Sequence, residues 1–321
     1  MLTIPLTDLL NIDVPIIQAG MSVFTSADLI AAVSNAGVLG SLGCWKRPAD
    51  SVRSEIEKIH ELTDKPFAVN HVVANLDEEL FKITLASKPA VISLALAAPA
   101  DLVDRAHDAG SIVMHQVITV GQAAEAAEHG VDVIIAQGGE SGGYGSEVAT
   151  MPLVPQVVDA VHPLPVVASG GISDGRGLAA ALVLGASGVN IGTRFLASAE
   201  SPIHPEWKQM LVEANSEDVI KFDSLNDIAP GTLGYGTIVR SLRTDFIDEW
   251  NARRSDAVAD ADRLRAQMGA AAKSGHLHEL MVGAGQSTGM VAGILTVEEI
   301  MQTMVDGAES ALKNAPGIVS E

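Results

Sequence analysis

Two glycine turns that close short apolar runs carry the spacing that points most directly to chemistry. Gly170-Gly171 follows the run Val166–Ala168, Gly192-Thr193 follows Val189–Ile191, and a small-residue segment from about Asp174 to Leu184 lies between them. Bare backbone at such turns can approach a phosphate and donate N–H groups to it, and the Thr193 hydroxyl could add a donor. Arg194 could add charge there or pair with an acidic side chain nearby. Strand, glycine turn, helix, strand, glycine turn is a parallel βαβ unit. In a (β/α)8 barrel the loops after strands seven and eight build the common phosphate site, so six strands should lie upstream. The chain has no Walker-type lysine and no G-x-G-x-x-G after its first strand, which leaves an ordinary nucleotide-binding domain unsupported. With no cysteine pair and no H-E-x-x-H pattern, no metal site is expected.

Six upstream apolar runs fit buried strands: Pro15–Ala19, Val38–Leu42, Phe67–His71, Ala90–Ala95, Ser111–Val117 and Val131–Gln137. They read as continuous hydrophobic stretches, as strands covered on both faces do. Helical patterns alternate with them at Ser26–Ala36, Ala49–Thr63, Asp77–Ser87, Pro99–Ala109, Thr119–His129 and Pro152–Ala160. Ser26, Asp77, Thr119 and Asp174 are placed as N-caps, and Gly37, Gly110, Gly130 and Gly185 follow helices where a left-handed residue is wanted. The fold class is α/β, a (β/α)8 TIM barrel. Polar residues at the C-terminal ends of such strands are usually functional. Asn70 ends strand three and Gln116 strand five; His71 and His115 are their neighbours, and alternation points His115 away from Gln116.

Residues 198–290 break this rhythm. Asp245–Met268 predicts a long, charge-laced helix, the turn-rich stretch 228–241 precedes it, and Thr296–Ala311 predicts a closing helix on the barrel. The reading is a barrel from 1–202 and 281–321, with a helical subdomain at 203–280 inserted after strand eight over the mouth. A surface decoration or a homodimer contact is the alternative role. No apolar run among the 321 residues reaches a membrane span, and the N-terminus lacks a basic region followed by an apolar core. With a single cysteine, Cys44, a cytoplasmic setting is expected. A net charge of −20 excludes nucleic acid and anionic membranes as partners, because phosphate backbones demand clustered Lys and Arg. A small-molecule substrate remains.

Six segments in register resemble one family: PIIQAGM at 15–21, SNAGVLGSLG at 34–43, PFAVN at 66–70, AQGGESGGYGS at 136–146, the whole stretch 165–197, and GAGQSTGM at 283–290. Together they resemble the flavin-dependent nitronate monooxygenases, formerly called 2-nitropropane dioxygenases, with their enoyl-reductase and NAD(P)H:quinone-reductase-like relatives. The resemblance implies an FMN-containing barrel with a capping helical domain. It places Ala19, Gly20 and Met21 against the isoalloxazine ring and Asn70 at its pyrimidine edge or a ribityl hydroxyl. Gln116 goes to the N1–C2 carbonyl region. Gln137, Gly142 and Gly143 belong to a loop folded flat beside the flavin, and Gln286 lies near it. Gly170, Gly171, Gly192 and Thr193 would cradle the phosphate.

The chain departs from the family at Tyr144, where the best-known nitronate monooxygenases and related enoyl reductases carry a histidine taken, in the monooxygenases, as the catalytic base. An imidazole with a pKa near ~6.5 can take a proton at neutral pH; a phenol near ~10 is a poor base but a serviceable acid or hydrogen-bond donor. The expected reaction is oxidation of an already ionised alkyl nitronate with O2 to a carbonyl compound and nitrite. The first alternative is an NADH- or NADPH-dependent reductase of an enoyl thioester or quinone, with Tyr144 stabilising the developing enolate. The second is a non-catalytic flavin-binding protein. Tyr144, His115 and His71 are the catalytic candidates. His276 and His278 are read as surface residues unless the subdomain closes, and Glu140 as a brace for the glycine loop.

Overall fold

The computed structural model describes residues 4–145, 147–229 and 237–318. Ser146 and positions 230–236, part of the turn-rich stretch, lie outside them. Eight parallel strands form the barrel: β1 (Ile16–Gln18), β2 (Gly40–Gly43), β3 (Phe67–Val72), β4 (Val91–Ala95), β5 (Ile112–Val117), β6 (Val133–Gln137), β7 (Val166–Ser169) and β8 (Gly188–Ile191). Each pairs with its neighbours in sequence, and β8 pairs with β1. Closure between β1 and β2 rests on the bridge Ile17–Leu39. The Gln18 side chain reinforces that seam, its carbonyl accepting the Ser41 N–H at 3.0 Å.

The strands are largely apolar because both faces are covered. Ile17, Leu39, Ala68, Val91, Met114, Val133, Ile135 and Val167 fill the barrel interior together with Leu6 and Leu10 of the helix Pro5–Leu10, which plugs its N-terminal end. The alternate residues, such as Ile92, Leu94, Val113, Ile134, Ala136 and Val166, face the surrounding helices. Those helices start where the caps predict: the side chains of Ser26, Asp77, Thr119 and Asp174 each accept a first-turn N–H. The four post-helix glycines have φ between 79° and 95°.

The segment after β8 is less helical than its sequence predicts. Helices Pro205–Glu213, Asp245–Ala252, Arg254–Ala259 and Ala261–Ser274 are joined by a small antiparallel sheet of Val219–Lys221, Ile238–Leu242 and Val282–Gly283, which takes in Gly143–Gly145 from the loop after β6. The long helix expected over 245–268 is three helices, broken at Arg253 and Asp260. The reason is geometric. Phe246, Ile247, Trp250, Ala257 and Leu264 share one apolar cluster, yet a straight helix would spread 18 residues over about 27 Å. Bending at two points wraps them round a common core.

The closing helix, Val297–Asn314, opens with a capping box between Thr296 and Glu299 and packs on the helix Gly175–Val183. The contact is backbone to backbone: a Cβ on Gly175 would lie 2.3 Å from Ala308 N and 2.4 Å from Met304 O. Gly175→Ala is therefore expected to destabilise the fold by ~1–3 kcal/mol, as overpacking does. Gly269→Ala, in an open part of its helix, should stabilise by ~0.5–1 kcal/mol. Urea unfolding of the two variants checks the opposite signs.

Candidate active site

The interior changes character at the C-terminal ends of the strands. In register with the apolar layers below come Asn70, Ser93, Gln116, Gln137, Ser169 and Asn190. Buried polar groups need partners, and these find one another. The Asn70 amide donates to the Ser93 hydroxyl at 3.2 Å and to its carbonyl at 3.3 Å. The Gln116 amide donates to the Gln137 side-chain carbonyl, whose own amide donates to the Ser141 hydroxyl at 2.6 Å. The Asn190 amide donates to Ser169 Oγ at 3.2 Å. Gly20 gives Asn70 its room: a Cβ there would sit 2.4 Å from the Asn70 Cβ. Ser93, Ser141, Ser169 and Asn190 were not among the sequence candidates, although the alternation that turns Asn70 inward also turns Ser93 inward through the register.

Three glycine-rich loops meet above this layer. Gly170 and Gly171 have φ of 104° and 73°, a conformation that side chains resist, and they leave bare backbone beside the end of β8. The Thr193 hydroxyl accepts the Gly285 N–H at 2.9 Å and keeps its own proton to donate. The Gln286 N–H bonds the Glu140 carbonyl at 2.8 Å, and a Cβ on Gly142 would lie 2.6 Å from the backbone of Ala284. The loops after β6 and β8 and the segment 283–286 are thus tied together. Glu140 braces the first of them as expected, its carboxylate accepting the Thr150 N–H at 2.8 Å and hydroxyl at 2.9 Å. Met21 packs beside Gly192, and the Ala19 N–H bonds the Ile191 carbonyl at 2.9 Å. The bare turns, the hydroxyl and the row of side-chain amides suit a phosphorylated ring cofactor that needs both donors and acceptors.

Tyr144 lies on the strand Gly143–Gly145 opposite Val239. Its ring meets Trp45 edge-on, centroids 5.5 Å apart, and the Lys46 ammonium sits 4.4 Å from the Trp45 ring centre. Burial pushes the phenol up to about 12. Arg240, on the opposing strand, donates to the Gly139 carbonyl at 2.9 Å and holds the two segments together. Backbone strain gathers at the same end of the barrel: Ser22, Lys46, Leu96, Ala97 and Ala100, in the loops after β1, β2 and β4, all have positive φ. Such residues persist where the surrounding structure over-determines them, often at binding sites.

Other candidates are turned away. His71 faces the helix layer, where it bonds Thr84 Oγ1 at 2.9 Å and packs edge-on against Phe81. His115 is also on the outer face, beside Pro99 and Gln122. Burial lowers both imidazoles to about 4. Neither can act as a base at the mouth, because strand alternation gives the inward positions to Asn70 and Gln116. Among the described residues Arg194 pairs with no acid. It is buried and donates to the carbonyls of Ala197, at 2.9 Å, and Gly293, at 2.6 Å. His276 is exposed, but His278 is buried against Glu206.

The family model described as nitronate monooxygenase matches residues 3–82 and 77–307 of this chain. The chain belongs to the nitronate monooxygenase family. Among curated proteins it is 39% identical over 248 residues to the (3aS,4S,5R,7aS)-5-hydroxy-7a-methyl-1-oxo-octahydro-1H-indene-4-carboxyl-CoA dehydrogenase of Mycobacterium tuberculosis, covering 76% of this chain and 67% of that protein. Among solved structures it superposes on FabK from Thermotoga maritima with a TM-score of 0.91 at 33% identity, over 99% of this chain and 100% of the other. The nitroalkane oxidase of Streptomyces ansochromogenes gives 0.84 at 26% identity, over 97% and 99%. The chain is therefore an oxidoreductase of a flavin-dependent family, on the barrel its sequence predicts. No helix among the described residues is long and apolar enough to cross a membrane.

The packing of Gly20 on Asn70 gives a test of this layer. Gly20→Ala should displace the Asn70 amide and lower flavin retention after dialysis by about tenfold, the scale of one lost charge-free polar contact set. An unchanged flavin-to-protein ratio would remove Asn70 from the binding surface.

Proposed function

We propose that this chain is an FMN-dependent oxidoreductase that oxidises an alkyl nitronate, taken up as the anion, with dioxygen to a carbonyl compound and nitrite. The observation that carries this reading is the phenol of Tyr144, held protonated at the barrel mouth with both strand-end histidines facing the helices. A neutral nitroalkane would need a base to remove its α-proton, and these groups offer none near neutral pH. A nitronate needs no base. The Tyr144 O–H can donate to a nitronate oxygen, a charge-assisted bond stronger than a neutral one. Lys46, with no carboxylate partner among the described residues, lends positive charge at the same rim of a chain whose net charge is −20.

FMN, when bound, supplies the electron acceptor for the substrate carbon. Its phosphate would be held by backbone of Gly170, Gly171 and Gly192 with the Thr193 hydroxyl. Its polar ring edge would lie against Asn70, Gln116 and Gln137, whose orientations are set by Ser93 and Ser141. Trp45 and the sheet bearing Val239 half-bury the phenol, and the segment 203–280 serves as the cap over the substrate. The second reading is hydride relay from NADH or NADPH to a conjugated thioester or quinone, with Tyr144 donating to the enolate oxygen; the likeness to a dehydrogenase of a carboxyl-CoA favours it.

Anaerobic mixing separates the two. Rapid flavin bleaching by a nitronate, with nitrite released on admitting air and no bleaching by NADH or NADPH, is the expected result. Bleaching by a nicotinamide nucleotide alone would replace this reading with the second. Tyr144→Phe should lower kcat/KM on the order of 10²-fold, as loss of one transition-state donor does, with little change in flavin content. Because the folded phenol keeps its proton up to about 12, kcat/KM should stay level from about pH 6 to about pH 9 and fall only in stronger alkali. A limb near ~6.5 would instead report a histidine.

A further inference from the structure

We propose that His204, Glu206 and His278 form a binding site for a zinc-class divalent cation that clasps the two ends of the inserted segment. This site is separate from the flavin reading and does not rest on it. His204 caps the helix Pro205–Glu213, and Glu206 stands in its first turn. His278 lies in the 3-10 turn Leu277–Glu279, just before the strand Val282–Gly283. The glutamate and this histidine are 72 positions apart in sequence, yet one ligand-capable atom from each of the three residues falls within 4.8 Å of the others. The ligands of a tetrahedral zinc ion are about 3.4 Å apart, given bonds near 2.1 Å, so small side-chain rotations close the set.

The local geometry favours a ligand here over a simple ion pair. The rings of His204 and His278 stack in parallel, centroids 4.3 Å apart and 11° from coplanar. The stack sets two imidazoles, both zinc-ligand side chains, next to each other. His278 is 3% exposed, and its Nδ1 has no partner while Nε2 meets Glu206 Oε2 at 2.9 Å. A cation taken up between Nε2 and the Glu206 carboxylate would replace this hydrogen bond with two coordinate bonds. His204 Nδ1 accepts the Glu206 N–H at 3.2 Å, at the long end of the normal range, and the ring gives up that bond when it turns to ligate. His276 and Glu279, paired at 2.9 Å, adjoin His278 within the same 4.8 Å limit and add acceptor character to the same pocket of charge. The helix Ala261–Ser274 ends just before His276, so its carbonyl end also favours positive charge. Two imidazoles and one carboxylate, completed by water, make an N/O set suited to zinc.

The test uses the full-length flavoprotein, treated with EDTA and dialysed, then titrated with ZnCl2 by calorimetry, with CoCl2 as a spectroscopic probe of geometry. One equivalent of zinc should bind, with tetrahedral cobalt bands and a raised Tm. Glu206→Gln and His204→Ala alter side chains that are not buried, so the fold should survive. Each should weaken zinc by about tenfold or more, whereas His129→Ala, at an exposed helix end, should not. Failure of the wild-type protein to bind zinc, or a loss smaller than tenfold in either cluster variant, would overturn the proposal.

Discussion

The packed interior of a closed parallel barrel offers few partners to a polar side chain that points inward, so such groups must find one another. That constraint organises this molecule. Below, the interior is filled by Ile17, Ala68, Met114, Ile135 and Val167 and sealed by Leu6 and Leu10, which leaves nothing for a polar ligand to bond. Above, Asn70 with Ser93, Gln116 with Gln137 and Ser141, and Ser169 with Asn190 satisfy one another only in part. Each side-chain amide keeps donor or acceptor capacity beyond the bonds it makes. The site is therefore where it is because only one end of the barrel carries hydrogen-bonding capacity to offer.

Charge imposes a second limit. In a chain this acidic, cations are scarce, and much of their bonding capacity is already committed to structure: Arg194 to two carbonyls, Arg240 to the Gly139 carbonyl, Lys221 to Glu147. An anionic group at the mouth would have to rely on peptide N–H groups and hydroxyls, with little help from formal charge. That explains why the loops there are built from glycine and why they are so closely packed: Gly142 and Gly285 approach to distances that no Cβ would allow. Donors fixed in this way need no reorganisation when an anion arrives.

The barrel was legible in the sequence because its signals are local. Continuous apolar runs, Ser26, Asp77, Thr119 and Asp174 at helix starts, and glycines at helix ends each read within a few residues. Facing was half legible: once Asn70 and Gln116 are taken as inward, alternation alone turns His71 and His115 outward. Signals that depend on distant chain could not be read. The strand Gly143–Gly145 exists because Ile238–Leu242 lies beside it, and no residue in its own GYG announces a partner nearly a hundred positions away. The break in the helix after Asp245 was hidden for a different reason. Residues 18 apart lie on the same face of a straight helix, so periodicity is identical whether the helix runs on or folds back. The histidines at 204 and 278 likewise lack the short spacing by which metal motifs are recognised.

The small sheet has a consequence for how such proteins diverge. Tyr144 belongs to the barrel by chain order, but its strand is hydrogen-bonded to the inserted segment, Val239 opposite Tyr144 and Arg240 opposite Gly143. The residue at position 144 and the inserted segment are thus structurally coupled. Grafting another relative's insertion onto this barrel would bring a foreign partner strand to Tyr144, and grafting the loop alone would leave the insertion's sheet mismatched. Swaps made at the loop and the insertion together respect that seam; swaps at either one cut through it.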